Sequence, residues 1–362
     1  MSRLLWMVCG LMGLAGSAHA DHLVAIAGPI TGEYASAGDQ VRKGAEMAVA
    51  EINAKGGVLG EKLRLEIGDD ACDPKLAVAV AGQMVKKKIV FMHGHWCSGA
   101  TIPASEIYNE AQIVTVTTAS NPTITERGLK NIFRIFGRDD EQGRVAATFI
   151  TRRFKDKKVA VVDDRSTYGK GIADEIAKGM TAAHMKPALR ESIAAGEKDY
   201  SALVAKLKAE GVEAMAYGGY HAEVALILRQ AQQAGLKLSI VGGDTLANSD
   251  LVTAAGSAAD NVMFTFPPDH RKNPAVAGVV RKFREVKIEP EGYVMYAYAA
   301  MQLFAQAAEK AKTVRYAELQ KALAGGSFDT AIGRVEFDAK GDNKSPGFIV
   351  YQWTGNRYDN VK

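Results

Sequence analysis

The chain has 362 residues, 47% of them hydrophobic, with 45 basic against 41 acidic side chains and a formal net charge of +4. That length accommodates two domains of ordinary size. Both signs of charge are interspersed, and no basic stripe with interleaved aromatics appears, so nucleic acid is not expected as a partner.

The first twenty residues read as a cleaved signal peptide. Arg3 supplies the positive start, residues 4–14 form an apolar core, and Ala18-His19-Ala20 gives the small-x-small pattern cut by signal peptidase. The apolar stretch falls short of the roughly 20 residues that a membrane span needs. Cys9 lies within that core, behind bulky Trp6, Met7 and Val8, which disfavours a lipid anchor. The mature chain then begins at Asp21 and the protein is expected in the periplasm. Arg3 is the leader's one charged residue, so cleavage takes the charge from +4 to +3.

Cys72 and Cys97 remain, and an even pair in an exported chain is a disulfide candidate. Closing that loop would restrict the unfolded chain by about 3 kcal/mol. The rival is a metal site, because His93 and His95 stand close to Cys97. Gly94 between them marks a strand end, which breaks the alternation that would bring both rings to one face. The oxidising compartment favours the disulfide.

Beyond the leader, short β-rich runs alternate with helical patterns. Residues 22–28 (HLVAIAG) read as a strand. Residues 36–55 place Val41, Ala45, Ala48, Val49 and Ile52 on one helical face, with Gly56-Gly57 ending the helix. Residues 63–67 are a second strand, and Pro74 opens a helix with Ala77, Val80, Ala81 and Met84 on its apolar face. Strands at 89–92 and 113–117 follow, with a helix between them. A second series has helices at 142–154, 171–183, 200–210 and 223–234, and strands at 159–163, 214–217 and 238–241. Helices at 292–310 and 316–323 and β-like runs at 334–337 and 348–353 complete the chain. This alternation predicts an α/β protein of two Rossmann-like lobes, each a parallel sheet flanked by helices. No low-complexity linker separates the series, so several short crossings are expected between the lobes.

Catalytic signatures are missing: the chain has no G-x-x-x-x-G-K-[ST], no G-x-S-x-G and no H-E-x-x-H. Asp69-Asp70 and Asp163-Asp164 are paired acids at strand ends, where caps and turns are the common use. No enzyme, cofactor or metal is expected. The strand-to-helix turns are richer. Ligands of open α/β sheets bind beyond the carboxyl ends of the strands, and these turns carry Trp96-Cys97-Ser98, Thr117-Thr118-Ala119-Ser120, Thr167-Tyr168-Gly169, Gly218-Gly219-Tyr220 and Gly243-Asp244. Hydroxyls and amide groups at helix starts suit a carboxylate, an acidic group suits an ammonium, and aromatics offer apolar walls. Together they describe an α-amino acid zwitterion, although any helix cap would draw on Ser, Thr, Asp and Gly.

At these residues the chain resembles the bacterial leucine/isoleucine/valine-binding proteins of ABC transport systems. The match includes Gly56-Gly57-Val58-Leu59-Gly60, Asp69-Asp70-Ala71-Cys72-Asp73-Pro74-Lys75 and His95-x-Cys97-Ser98 leading to Pro103-Ala104-Ser105. It continues through Ala195-Gly196-Glu197-Lys198-Asp199, Tyr217-Gly218-Gly219-Tyr220-His221 and Leu228-Arg229-Gln230-Ala231. Essentially the whole mature chain is covered. The resemblance implies a type I clamshell with three hinge crossings: one lobe of 21–138 with 269–345, the other of 139–268 with 346–362. It also implies a Cys72–Cys97 bridge and a monomer that delivers a branched-chain amino acid to permease subunits. Ser98, Thr118 and Ser120 would hold the ligand carboxylate, with Ala119 in the same turn. Tyr168 and Tyr220 would close from the second lobe, and Asp244 would meet the ammonium. Trp96 and Tyr293 take wall positions.

Three departures stand out. Asp244 replaces the family's usual glutamate, one methylene longer. Trp96 stands where relatives can carry a smaller aliphatic residue. A wall aromatic of the family aligns with Ala37, with Tyr34 nearby. Trp96 and the shortened acid motivate an alternative cargo, an aromatic amino acid, amide or aromatic carboxylate. Further alternatives are a ligand-sensing module for a receptor and a secreted metal-dependent hydrolase built on His93 and His95.

Overall fold

The computed structural model describes residues 21–344 and 346–361; the leader read in residues 1–20 lies outside them. The first sheet contains β1 (His22–Gly28), β2 (Leu63–Asp69), β3 (Phe91–His93), β4 (Val114–Thr117) and β5 (Ile132–Arg134) in the order β2-β1-β3-β4-β5. All its neighbours are parallel. Helices cover both faces of such a sheet, which is why β1 and β4 run as buried stretches without an exposed side. Between these strands lie α1 (Ala35–Ala54), α2 (Pro74–Lys86), α3 (Ser98–Glu110) and the single turn α4 (Thr123–Glu126). Asp73 starts α2 by accepting the N–H groups of Lys75 and Leu76, with Pro74 at the first helical position.

The chain then enters the second lobe through α5 (Asp139–Arg153), β6 (Val159–Asp163), α6 (Thr167–Ala182), β7 (Leu189–Ser192), α7 (Ser201–Ala209), β8 (Ala214–Gly218), α8 (His221–Gln233), β9 (Ser239–Gly242), α9 (Ser249–Ala255) and β10 (Val262–Phe266). It returns with α10 (Ala277–Glu285), α11 (Val294–Ala311), α12 (Tyr316–Ala324) and the hairpin β11 (Ser327–Thr330) and β12 (Gly333–Glu336). Here α11 packs along α1, where Tyr298 donates to Glu51 at 2.7 Å. A last passage leads to β13 (Ile349–Thr354) and β14 (Arg357–Asn360), which add antiparallel strands to the second sheet, ordered β14-β13-β10-β9-β8-β6-β7.

Three passages therefore join the lobes, and one phenylalanine from each meets at the hinge. Phe136 lies 5.6 Å from Phe266 and 5.8 Å from Phe348, ring centre to ring centre, and 4.9 Å from Tyr296. Offset and edge-on pairs of this kind contribute beyond simple burial. Gly137 beside Phe136 leaves space for this cluster, since a Cβ there would collide with the Phe348 ring and come 3.3 Å from Pro346.

The expected alternation is present, with boundaries shifted by a few residues. Residues 167–169, read as a turn, form the first turn of α6. The third strand runs over 91–93, not 89–92, so it ends at Gly94 as read. Strands β5, β7, β10, β11 and β14 and helices α4, α9 and α10 were not anticipated.

Truncating the hinge ring, Phe136→Ala, is expected to cost about 3–5 kcal/mol. The measurement is the thermal unfolding midpoint, which should fall by several degrees; an unchanged midpoint would show that the ring cluster carries little of the lobe junction.

Candidate functional site

Between β3 and α3, a rigid turn is built from buried polar contacts. Gly94 has φ +150°, and a Cβ there would lie 2.5 Å from the Ala27 carbonyl oxygen, so only glycine fits against β1. The His95 ring is held at both nitrogens, Nδ1 at 2.5 Å from Asp70 Oδ2 and Nε2 at 3.2 Å from the Tyr108 hydroxyl. Cys97 is bonded to Cys72 across 5.5 Å between Cα atoms. His93 reaches the Val116 carbonyl at 2.8 Å, and burial pulls its pKa down to about 4. The three groups that a metal site would have shared are thus each committed elsewhere. The strand-end acids brace turns: Asp69 accepts the Ile30 N–H at 3.0 Å, and Asp163 holds Arg190 at 3.0 Å.

This turn presents Trp96 and Ser98. In the neighbouring turn after β4, the Thr117 hydroxyl donates to the His95 carbonyl at 2.9 Å and accepts the Ala119 N–H at 3.0 Å. The Asn121 N–H reaches Ser98 Oγ at 3.3 Å, which sets Ser98 beside the turn carrying buried Thr118 and Ser120. Ala119 instead packs against Ile124 and Ile132, and its carbonyl accepts from Arg134 at 2.8 Å. Of the expected carboxylate group, Ser98, Thr118 and Ser120 come together while Ala119 faces away.

The second lobe brings its residues to one carboxylate. Asp244 follows β9 and is 3% exposed. Its Oδ1 accepts from Gln142 Nε2 at 2.8 Å and from the Tyr168 hydroxyl at 3.0 Å, and its Oδ2 accepts from the Tyr293 hydroxyl. Gln142 cannot turn its amide around without loss, because its Oε1 accepts both the Asp244 N–H at 2.7 Å and the Thr265 hydroxyl at 2.8 Å. Burial raises the Asp244 pKa, and the three donors oppose the rise. Tyr293, at the start of α11, belongs to the first lobe's helices, so this carboxylate is bonded from both sides of the cleft.

Aromatic rings close the space above it. Trp96 lies 5.5 Å from Tyr220 and 5.3 Å from Tyr293, and Tyr220 lies 5.4 Å from Tyr168. Tyr34 stacks on Tyr220 at 4.4 Å, so Tyr34 rather than Ala37 supplies the aromatic beside the first strand. Other bonds span the cleft directly: Tyr34 to Glu223 at 3.0 Å, Asn248 to Ser36 at 2.9 Å, Asn121 to the Thr167 carbonyl at 3.0 Å, and the Lys198–Glu33 ion pair. The structure thus shows the lobes closed on each other.

Charge is unevenly answered here. Arg134, fully buried, spends its donors on Asp342 at 2.8 Å, on the Ala119 and Asn121 carbonyls and on Thr125. Arg138 bonds Asp342, Asp140 and Glu126. Among the described residues no ion pair reaches Asp244 or its neighbour Asp139. Both Asp139 and Gln142 escaped the sequence reading. A run of three acids opening a helix looks like favourable helix-dipole placement, and only the one-turn spacing of Asp139 and Gln142 hinted at a shared face.

A family model described as periplasmic binding protein matches residues 24–357. The chain is 45% identical over 348 residues to a Leu/Ile/Val-binding protein homolog of Brucella melitensis, covering 96% of this chain and 94% of the relative. It is 43% identical over 332 residues to a leucine-, isoleucine-, valine-, threonine- and alanine-binding protein of Pseudomonas aeruginosa, covering 91% and 89%. Among solved structures, the branched-chain amino acid transporter substrate-binding protein LivJ of Streptococcus pneumoniae, in complex with isoleucine, superposes with a TM-score of 0.84 at 25% identity, covering 94% and 98%. The two-lobed fold, the hinge and these matches agree, and the chain belongs to the periplasmic binding protein family.

Proposed function

We propose that this protein captures a branched-chain amino acid, leucine, isoleucine or valine, between its lobes in the periplasm and delivers it to the permease of an ABC importer. The observation that carries this reading is the buried Asp244 carboxylate, which has three neutral donors and, among the described residues, no ion pair. A buried carboxylate lacking a counter-ion is costly, and a ligand ammonium would provide the missing charge. Ser98, at the start of α3 where the helix dipole favours an anion, forms the proposed carboxylate seat with Thr118 and Ser120 of the turn after β4. Trp96, Tyr220 and Tyr34 would wall the apolar side chain, and Tyr168 and Tyr293 would orient Asp244.

The proposed lobes are residues 21–138 with 269–345 and 139–268 with 346–362, turning about the Phe136, Phe266 and Phe348 cluster. Ligand binding shifts the population toward the closed form only by as much as the ligand prefers it. A molecule bonded by both lobes at once has that preference. The named ligands of the relatives, which in the Pseudomonas protein extend to threonine and alanine, support the cargo class.

Asp244→Asn keeps the shape and removes the charge. Calorimetric titration with leucine should show affinity weakened by about 30-fold or more, the usual loss when one member of a buried charge pair is removed. Wild-type affinity in this variant would take Asp244 out of the site.

Binding should also depend on pH in a defined direction. The closed, empty cleft holds the protons of Asp244 and Asp139 to a higher pH than a free carboxyl would, because burial raises both pKa values. An incoming ammonium requires the ionised form, so affinity should fall as pH falls through that raised range, with protons released on binding. Titrations in two buffers of different ionisation enthalpy measure the release; affinity that rises on acidification would contradict the assignment.

A further inference from the structure

Asp139 is a second, unexplained acid at the same place. It is fully buried, and its Oδ2 has no hydrogen-bond partner among the described residues. Its Oδ1 takes a long contact, 3.4 Å, from Gln142 Nε2, and the nearby Ser120 side chain favours its ionised form. That same nitrogen donates to Asp244 Oδ1 at 2.8 Å, so the two carboxylates converge on one point. Helix capping does not account for Asp139: in the first turn of α5 it is Asp140 whose carboxylate accepts a backbone N–H, that of Glu141, at 3.1 Å. The Asp139 N–H donates to the Ser120 carbonyl at 2.9 Å, tying it to the proposed carboxylate seat. Arg134 lies near enough to favour its ionised form, yet its donors are taken by Asp342 and other partners.

An ammonium brings three donors. A carboxylate offers about four acceptor positions, and Asp244 has already filled three of them with Gln142, Tyr168 and Tyr293. Asp244 therefore cannot satisfy the group by itself, and the shorter side chain draws the ammonium inward, toward the acceptor that stands open. We infer that the ligand ammonium is bound between Asp244 and Asp139, with Asp139 a direct contact at the first hinge passage. This inference rests on the amino acid reading of the cleft. It places charge recognition at the pivot of the two lobes, since Asp139 is the first helical residue after the chain leaves β5.

The test compares leucine with 4-methylpentanoate, the same molecule without its amine, by calorimetry on the full mature protein and on Asp139→Asn, Asp139→Glu and Asp244→Asn. For Asp139→Asn, leucine affinity should drop by about 30-fold or more, while affinity for 4-methylpentanoate holds or improves. Asp139→Glu, which keeps the charge, should recover much of the leucine preference, and this separates a charge requirement from a packing fault. Leucine affinity within about two-fold of wild type in Asp139→Asn would overturn the inference, and so would equal loss of both ligands without rescue by glutamate. Should Asp244→Asn also bind leucine normally, or the wild type bind no amino acid, the underlying reading of the site would fall with it.

Discussion

One carboxylate, buried at the junction of the lobes with no ion pair reaching it among the described residues, organises the rest of this molecule. Asp244 follows a strand of the second sheet, yet its hydrogen bonds come from α5, from α6 and from the residue that starts α11 in the first lobe. Such a group is tolerated in a low-dielectric interior only when its hydrogen bonds are met. Its donors are neutral, so they orient the charge without cancelling it. The residual negative potential is what a small cation-bearing ligand can exploit.

The opposite wall is stiff for a different reason. The Asp70–His95–Tyr108 chain and the Cys72–Cys97 bond fix the turn that ends in Trp96 and Ser98, while the Thr117 hydroxyl couples it to the next turn. Hydroxyls that must meet a carboxylate lose affinity if they first have to be ordered, and here the ordering is done during folding. The passages between the lobes meet instead at three packed phenylalanines.

Much of this was legible in the sequence, and the failures have physical causes. Strand β1 and helices α1 and α2 announced themselves through apolar spacing and through the Asp73-Pro74 start. Strand β5 hid because Arg134 sits in it: a guanidinium in a three-residue strand reads as surface, and only Asp342, far along the chain, makes its burial tolerable. Tyr168, Tyr220 and Asp244 converge because the ends of β6, β8 and β9 lie at one edge of a parallel sheet, and Tyr293 reaches them from the residue before α11. Asp139 and Gln142 were missed, and Tyr34 was named only as lying near Ala37, since their significance comes from long-range pairing. Local spacing shows a helix start; it does not show that a residue 102 positions away lies 2.8 Å from Gln142.

The bonds that span the cleft without touching the aromatic pocket, Asn248 to Ser36, Asn121 to Thr167 and Lys198 to Glu33, have a thermodynamic consequence. They lower the free energy of closure for the vacant molecule, so a fraction of it visits the shut state unaided, and apparent affinity scales with that fraction. Exchanging one of these rim residues would strengthen or weaken retention of every cargo by a common factor. Selection could thus adjust how tightly the protein scavenges while leaving its choice of amino acid untouched.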